Sequence, residues 1–250
     1  MSMQNDMLIK EDKMYQVSTL QALALGYSRA VVKVSELRAH GDIGLGTFED
    51  VNGEMIVLEG EVYRADETGH VTKAPDSFGV PFAAVAGHAP ERERTFTGID
   101  SAQTLRRMLD LFIEEDFGLN SMHAVRVDGF FQKVYARSES AYRSAHVTLK
   151  EVLSGTQKDF LFEQVRGTLV CIYFPDYMDG INAPGWHFHF ISDDRTQGGH
   201  VFELCADEAV CRVRKIQRLE IQFPREPAFD TYALKNASQE EIRHVEQGKS

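Results

Sequence analysis

The most regular hydrophobic spacing in the chain is Leu105, Met108, Leu109, Phe112 and Ile113, which recur every three or four residues and predict an amphipathic helix. Asp100 or Ser101 stands where that helix needs an N-cap. A shorter helix is predicted through Leu20, Leu23 and Leu25, capped by Ser18 or Thr19 and stopped near Gly26. Two further helical stretches are read at Ser35–His40 and at Thr148–Leu153, the latter ending at Gly155. Most of the remaining pattern is that of strands. Thr47–Val51 and Glu54–Leu58 flank Asn52-Gly53, a hairpin signal, after a glycine-rich entry at Gly41–Gly46. His123–Val127 and Phe130–Arg137 flank Asp128-Gly129, a second such signal. Further strands are expected at Glu61–Arg64, Val80–Ala86, Thr168–Phe174, Trp186–Ile191, His200–Cys205 and Cys211–Phe223. Residues 1–17 read as a loosely docked arm, and Ser238–Gln247 as a polar, helix-prone tail.

Clustered strands with few helices predict an α+β fold. Its two halves meet near residues 140–165 and are expected as 18–150 and 151–250, the second strand-rich. The bulk numbers narrow the function. With 38 acidic against 27 basic residues the net charge is -11, and no Lys/Arg block offsets it. That balance repels nucleic acid backbones and anionic membrane surfaces, so neither is an expected partner. The N-terminus lacks the apolar run of a signal peptide, and no stretch approaches the length of a spanning helix. Cys171, Cys205 and Cys211 are too few and wrongly spaced for a disulfide framework. The expected compartment is the cytoplasm.

Candidate chemistry is densest in Pro184-Gly185-Trp186-His187-Phe188-His189-Phe190-Ile191. On a strand, His187 and His189 share one face while Trp186, Phe188 and Phe190 take the other. Their Cβ atoms then lie roughly 6–7 Å apart, close enough for one ion bound at about 2.0–2.1 Å. The polar segment Ser192–Gly199 reads as a turn that returns the chain beside them, opening the next strand with His200. Three histidines leave a coordination position open, which is the catalytic arrangement. The alternative for any His-x-His pair is a hydrogen-bonded or surface role, and that reading is kept for His40, His70, His88, His123 and His146.

These residues carry a resemblance. Gly185–Ile191, Arg195 and Gly198–Phe202 resemble the zinc-binding signature of the acetolactate decarboxylases. Gly41–Phe48 followed by Asn52-Gly53-Glu54 and Leu58–Tyr63 resembles a second block of that family. Ala124–Phe130 with Lys133, Val134 and Arg137, and Phe160 to Gly167-Thr168, resemble two more, in family order. The resemblance implies two mixed β-sheet domains with a metal site near the domain junction, a homodimer, and conversion of (S)-2-acetolactate to (R)-acetoin and CO2. It places zinc on His187, His189 and His200, catalytic roles on Glu54 and Arg137, and a substrate contact on Thr47. It also places a glutamate near the C-terminus, best matched by Glu246, with Glu240 and Glu241 as competitors. Trp186 departs from the residue many relatives carry before the first histidine, which bears on pocket shape.

The residue types suit the reaction. A Lewis acid stabilises charge that develops on oxygen as CO2 leaves, without redox change. A rigid guanidinium fork matches a carboxylate, and a glutamate can return the proton. Taken on spacing alone, Glu54 and Arg137 read equally well as solvated strand residues. Two other functions share the three-histidine set: a different metal enzyme (a cupin-like oxygenase or another zinc lyase), and a non-catalytic zinc-containing binding module.

Overall fold

The computed structural model describes residues 12–142, 147–232 and 234. In chain order the strands are β1 (Lys13–Val17), β2 (Val32–Lys33), β3 (Ile43–Thr47), β4 (Glu54–Leu58), β5 (Glu61–Ala65), β6 (Val71–Lys73), β7 (Gly79–Val80), β8 (Phe82–Ala86), β9 (Arg92–Ile99), β10 (Met122–Glu139), β11 (Gln157–Phe174), β12 (Gly185–Ser192), β13 (Gly198–Ile216) and β14 (Arg218–Gln222). The helices are α1 (Leu20–Ala24), α2 (Val34–Leu37), α3 (Ala102–Asp116), α4 (Leu149–Thr156) and α5 (Pro227–Asp230). Two large sheets result, as the α+β reading expects: seven strands in the order β14-β1-β8-β3-β4-β5-β6, and five in the order β10-β11-β12-β13-β9. Only β1 and β14 pair in parallel; the other pairings of these sheets are antiparallel. The five-stranded sheet draws on chain from both sides of residue 150. No helix among the described residues is long and apolar enough to cross a membrane.

The layers follow from side-chain alternation. Leu105, Leu109, Phe112 and Ile113 of α3 pack on Val125, Phe188 and Phe190, forming a core on one face of the five-stranded sheet. Fully burying each such side chain contributes roughly 1.5–3 kcal/mol. The opposite face meets the seven-stranded sheet through Val170, Ile172 and Ile191 against Ile43, Leu45 and Ile56. The far side of the seven-stranded sheet, with Val57 and Val85, is closed by Val32, Val34 and Leu37. Ser101 caps α3 by accepting from Thr104 N, and Thr19 caps α1 by accepting from Ala22 N, both as the sequence predicts.

Four expectations are corrected. Asp128-Gly129 is not a hairpin turn, because β10 runs straight through it between β11 and β13. The Asp128 carboxylate accepts from Arg126, Thr168 and Arg212, and a Cβ at Gly129 would lie 3.1 Å from that of Ala209. That glycine therefore serves close strand packing. The hairpin at Asn52-Gly53 exists, but its first strand is the glycine-rich stretch itself, with Thr47 paired to Glu54 and a single turn at Glu49–Val51 between them. Strand β13 continues without the expected break between Cys205 and Cys211. The N-terminal arm includes β1, a strand held between β8 and β14.

One irregularity matters for the site. Val125, Val127 and Phe131 of β10 face α3, and so do Val134 and Ala136, so the alternation changes phase between Phe131 and Val134. The register against β13 slips there, and Gln164 on neighbouring β11 takes a left-handed φ of 53°. This is bulge geometry. It turns Arg137 and Glu139 away from the α3 core and into the cavity described next.

Candidate metal centre

On β12 the predicted alternation holds: Trp186, Phe188 and Phe190 enter the α3 core, and His187 and His189 turn toward the seven-stranded sheet. The Trp186 indole donates to Asp110 of α3 at 2.7 Å, anchoring the apolar face. The turn after β12 is built by side chains, with Ser192 Oγ accepting from Thr196 N and Gln197 N. It returns the chain so that His200 lies opposite His189. On the other side of β13, His200 lies opposite Arg137 of β10. The sheet thus closes on itself at the end that carries the histidines. A Cβ at Gly199 would stand 2.6 Å from the Arg137 carbonyl, so glycine is required for that closure.

Three ring nitrogens converge. His187 Nε2 is 3.0 Å from His200 Nδ1 and 3.2 Å from His189 Nε2. All three residues are buried, and one ligand atom from each falls within a 4.8 Å span. His189 Nδ1 is 2.7 Å from the Met55 carbonyl, which can only accept. The proton therefore sits on Nδ1 and the Nε2 lone pair faces the cluster. Burial, with Arg137 and Arg106 adding to it, pushes His187 down to about 3. Burial and then His187 hold His189 well below its ordinary value. Both rings are neutral near pH 7, so the 3.3 Å approach of Glu54 Oε2 to His189 Nε2 is not an ion pair. Converging imidazole nitrogens beside a facing carboxylate form a donor set that suits a cation. For ligands at about 2.0–2.1 Å in tetrahedral array, neighbouring nitrogens stand about 3.3 Å apart, close to the separations found here. The buried three-histidine group can hold a metal ion.

The seven-stranded sheet completes the surroundings. Thr47 ends β3 and Glu54 opens the paired strand β4, and both are buried. Thr47 Oγ1 donates to Gly53 O at 2.9 Å. Glu54 N donates to Ser138 Oγ at 3.1 Å, and that hydroxyl donates to Ala65 O at 2.8 Å. Arg137 is 4% exposed, donates from Nη1 to Gln157 Oε1 at 2.9 Å, and lies over the Phe202 ring. A pocket of about 350 Å³, counting the solvent-open space at its mouth, opens onto this group. Its polar wall is Thr47, Glu54, Arg137, Glu139, His187 and His200, while His189 lies behind them, fully buried. Its apolar wall is Leu23, Val51, Phe82, Leu149 and Leu153.

The structure brings together six of the seven site residues expected from the sequence. The seventh, Glu246, lies outside the described residues, as do Glu240, Glu241 and His146. Sequence reasoning missed Ser138 and Glu139, buried on the strand that carries Arg137, and Gln157, which holds that arginine. The strand was expected to end at Arg137. A buried Glu two residues after an Arg on a strand shares its face, which was the available signal.

Comparison with known proteins agrees with this geometry. The family model for alpha-acetolactate decarboxylase matches residues 14–236. The alpha-acetolactate decarboxylase of Brevibacillus brevis is 34% identical over 237 residues, 95% of this chain and 81% of the relative. That of Methanosarcina mazei is 36% identical over 237 residues, 94% of this chain and 80% of the relative. The crystal structure of alpha-acetolactate decarboxylase from Bacillus subtilis strain 168 superposes with a TM-score of 0.89 at 28% identity, covering 95% of this chain and 100% of that one. With sequence, fold and the match along the chain in agreement, this protein belongs to the alpha-acetolactate decarboxylase family.

Proposed function

We propose that the chain converts (S)-2-acetolactate to (R)-acetoin and CO2, using zinc held by His187, His189 and His200. The observation that carries this reading is the convergence of three buried imidazoles beside Glu54, in a cavity walled by Arg137, in a chain of this family. Neutral imidazoles without thiolates suit zinc, three protein ligands leave a position open, and the reaction changes no oxidation state. When bound, zinc supplies Lewis acidity toward the substrate oxygens.

The remaining steps belong to side chains. Arg137 pairs with the substrate carboxylate through its planar fork, already oriented by Gln157. The bond from carboxylate carbon to carbinol carbon breaks, and its electron pair moves onto the ketone oxygen to give an enediolate. Glu54, having taken up one proton from solvent, then gives it to the carbinol carbon as the charge on oxygen returns to the ketone, and delivery from one fixed side sets the configuration. Ser138 fixes the Glu54 backbone for that transfer. Thr47 has its proton committed to Gly53 O and so offers lone pairs to the substrate hydroxyl. Burial around His187 and His189 excludes bulk water, strengthening each of these contacts.

The test is acetoin formation from racemic acetolactate, with metal analysis and chiral chromatography of the product. The expected result is about one zinc per chain, consumption of one enantiomer to (R)-acetoin, and activity abolished by a chelator and restored by zinc. Iron with oxygen consumption, or bound zinc without CO2 release, would overturn the reading.

A further inference from the structure

The cavity is divided by chemistry. Its apolar lining residues all belong to one hydrophobic cluster, in which Leu23, Val51, Phe82, Leu149 and Leu153 pack with Leu20 and Val152. Their side chains carry no hydrogen-bonding group, so none serves the carboxylate, hydroxyl or ketone of an oxygen-rich substrate. What they can hold is an alkyl group. Helix α4 supplies two of them on one face, Leu149 and Leu153 at i and i+4. Its position is fixed at both ends. Thr148 and Glu151 form a reciprocal capping box at its start, and Gln157, its C-cap residue, is the partner of Arg137. One continuous segment therefore carries both an apolar wall and the clamp on the arginine. Leu149 is 5% and Leu153 8% exposed, with Val152 filling the space beside them, so the wall has little room to recede.

We propose that Leu149 and Leu153 of α4 limit the length of the alkyl group that the site accepts on a 2-hydroxy-3-oxo acid. This rests on the proposed decarboxylation and adds a size filter to it. In a packed apolar pocket, one methylene changes discrimination by about 10- to 200-fold.

The experiment measures kcat/KM on the zinc-loaded enzyme for two substrate series. One extends the alkyl group on the carbinol carbon, the other that on the ketone, from methyl through ethyl to propyl. Wild type is expected to fall by tenfold or more at propyl in at least one series. Leu153→Ala and Leu149→Ala are each expected to raise the propyl-to-methyl ratio in that series about tenfold, and Leu153→Phe to lower the ethyl-to-methyl ratio. Leu153→Val, a one-methylene change, is read alongside in case the alanine variants fold poorly, with a shift of several-fold in the same direction. A purely structural wall would lower melting temperature and all substrates alike, leaving every ratio unmoved. Unmoved ratios in active, zinc-loaded Leu153→Val and Leu153→Phe overturn the proposal. Absence of decarboxylation by wild type on every substrate overturns the proposed function instead.

Discussion

The two large sheets bring different atoms to the same cavity. The five-stranded sheet contributes nitrogen, three imidazoles and the Arg137 guanidinium, and adds the Glu139 carboxylate. The seven-stranded sheet contributes oxygen: the Thr47 hydroxyl, the Glu54 carboxylate and the Met55 carbonyl that orients His189. The difference teaches that metal retention and turnover should be separable by sheet. The proposed ligand set is carried within β12 and β13, whereas the proposed proton-transfer group stands on β4.

The largest expected effect breaks the first half of that comparison. His187→Ala, His189→Ala and His200→Ala should each lose most of the metal and nearly all activity. Full zinc and full turnover in any one of them would remove that residue from the ligand set. Next comes Glu54→Gln, on the other sheet, expected to keep zinc and slow turnover by roughly 10²–10⁴-fold. Loss of zinc in that variant would instead make the carboxylate part of the metal's binding site and blur the division.

Arg137→Lys sharpens the comparison within the five-stranded sheet. A point charge cannot reproduce the fork held by Gln157, and activity should fall on the order of 10²-fold with zinc retained. A variant with wild-type kinetics and a depressed melting temperature would recast Arg137 as structural. The smallest expected effect lies away from the cavity. His123 is fully buried between Phe117 and Tyr173, and burial pushes it down to about 4. Between that value and the unfolded value near 6.5, the unfolded chain binds the proton and the folded one does not. Stability from this group is therefore intact above pH 6.5 and lost as pH falls toward 4, by on the order of 3 kcal/mol. His123→Phe should flatten the melting temperature across that window while leaving zinc content unchanged; an unaltered profile would show that other groups dominate acid unfolding.

Much of the site was legible because strand alternation is local. His187 and His189 fall on one face whatever surrounds them, and the polar run Ser192–Gly199 turns on its own side chains. Helix α3 was legible for the same reason, through spacing and a serine cap. What escaped depends on partners distant in sequence. Asp128-Gly129 carries a turn signal that is overruled by Arg212 and Ala209 from β13. β1 places Gln16 wholly inside, where its amide donates to Ser18 O and Ile181 O, so no hydrophobic alternation marks it. β9 opens with Arg92-Glu93-Arg94 along an edge, its first two residues exposed, and reads as loop. The facing of Thr47 and Glu54 toward the histidines belongs to the contact between two sheets, which no local pattern encodes.

The bulge midway along β10 makes this strand two clocks set half a beat apart. Residues before Phe131 and after Lys133 keep the same alternation but opposite time. Inserting one residue between Val134 and Ala136 would keep every existing side chain, yet put the guanidinium into the α3 core and an alanine at the cavity. The arginine's identity is thus only half of its specification. The other half is a count, and a count can be altered by an insertion that no table of residue similarities would flag.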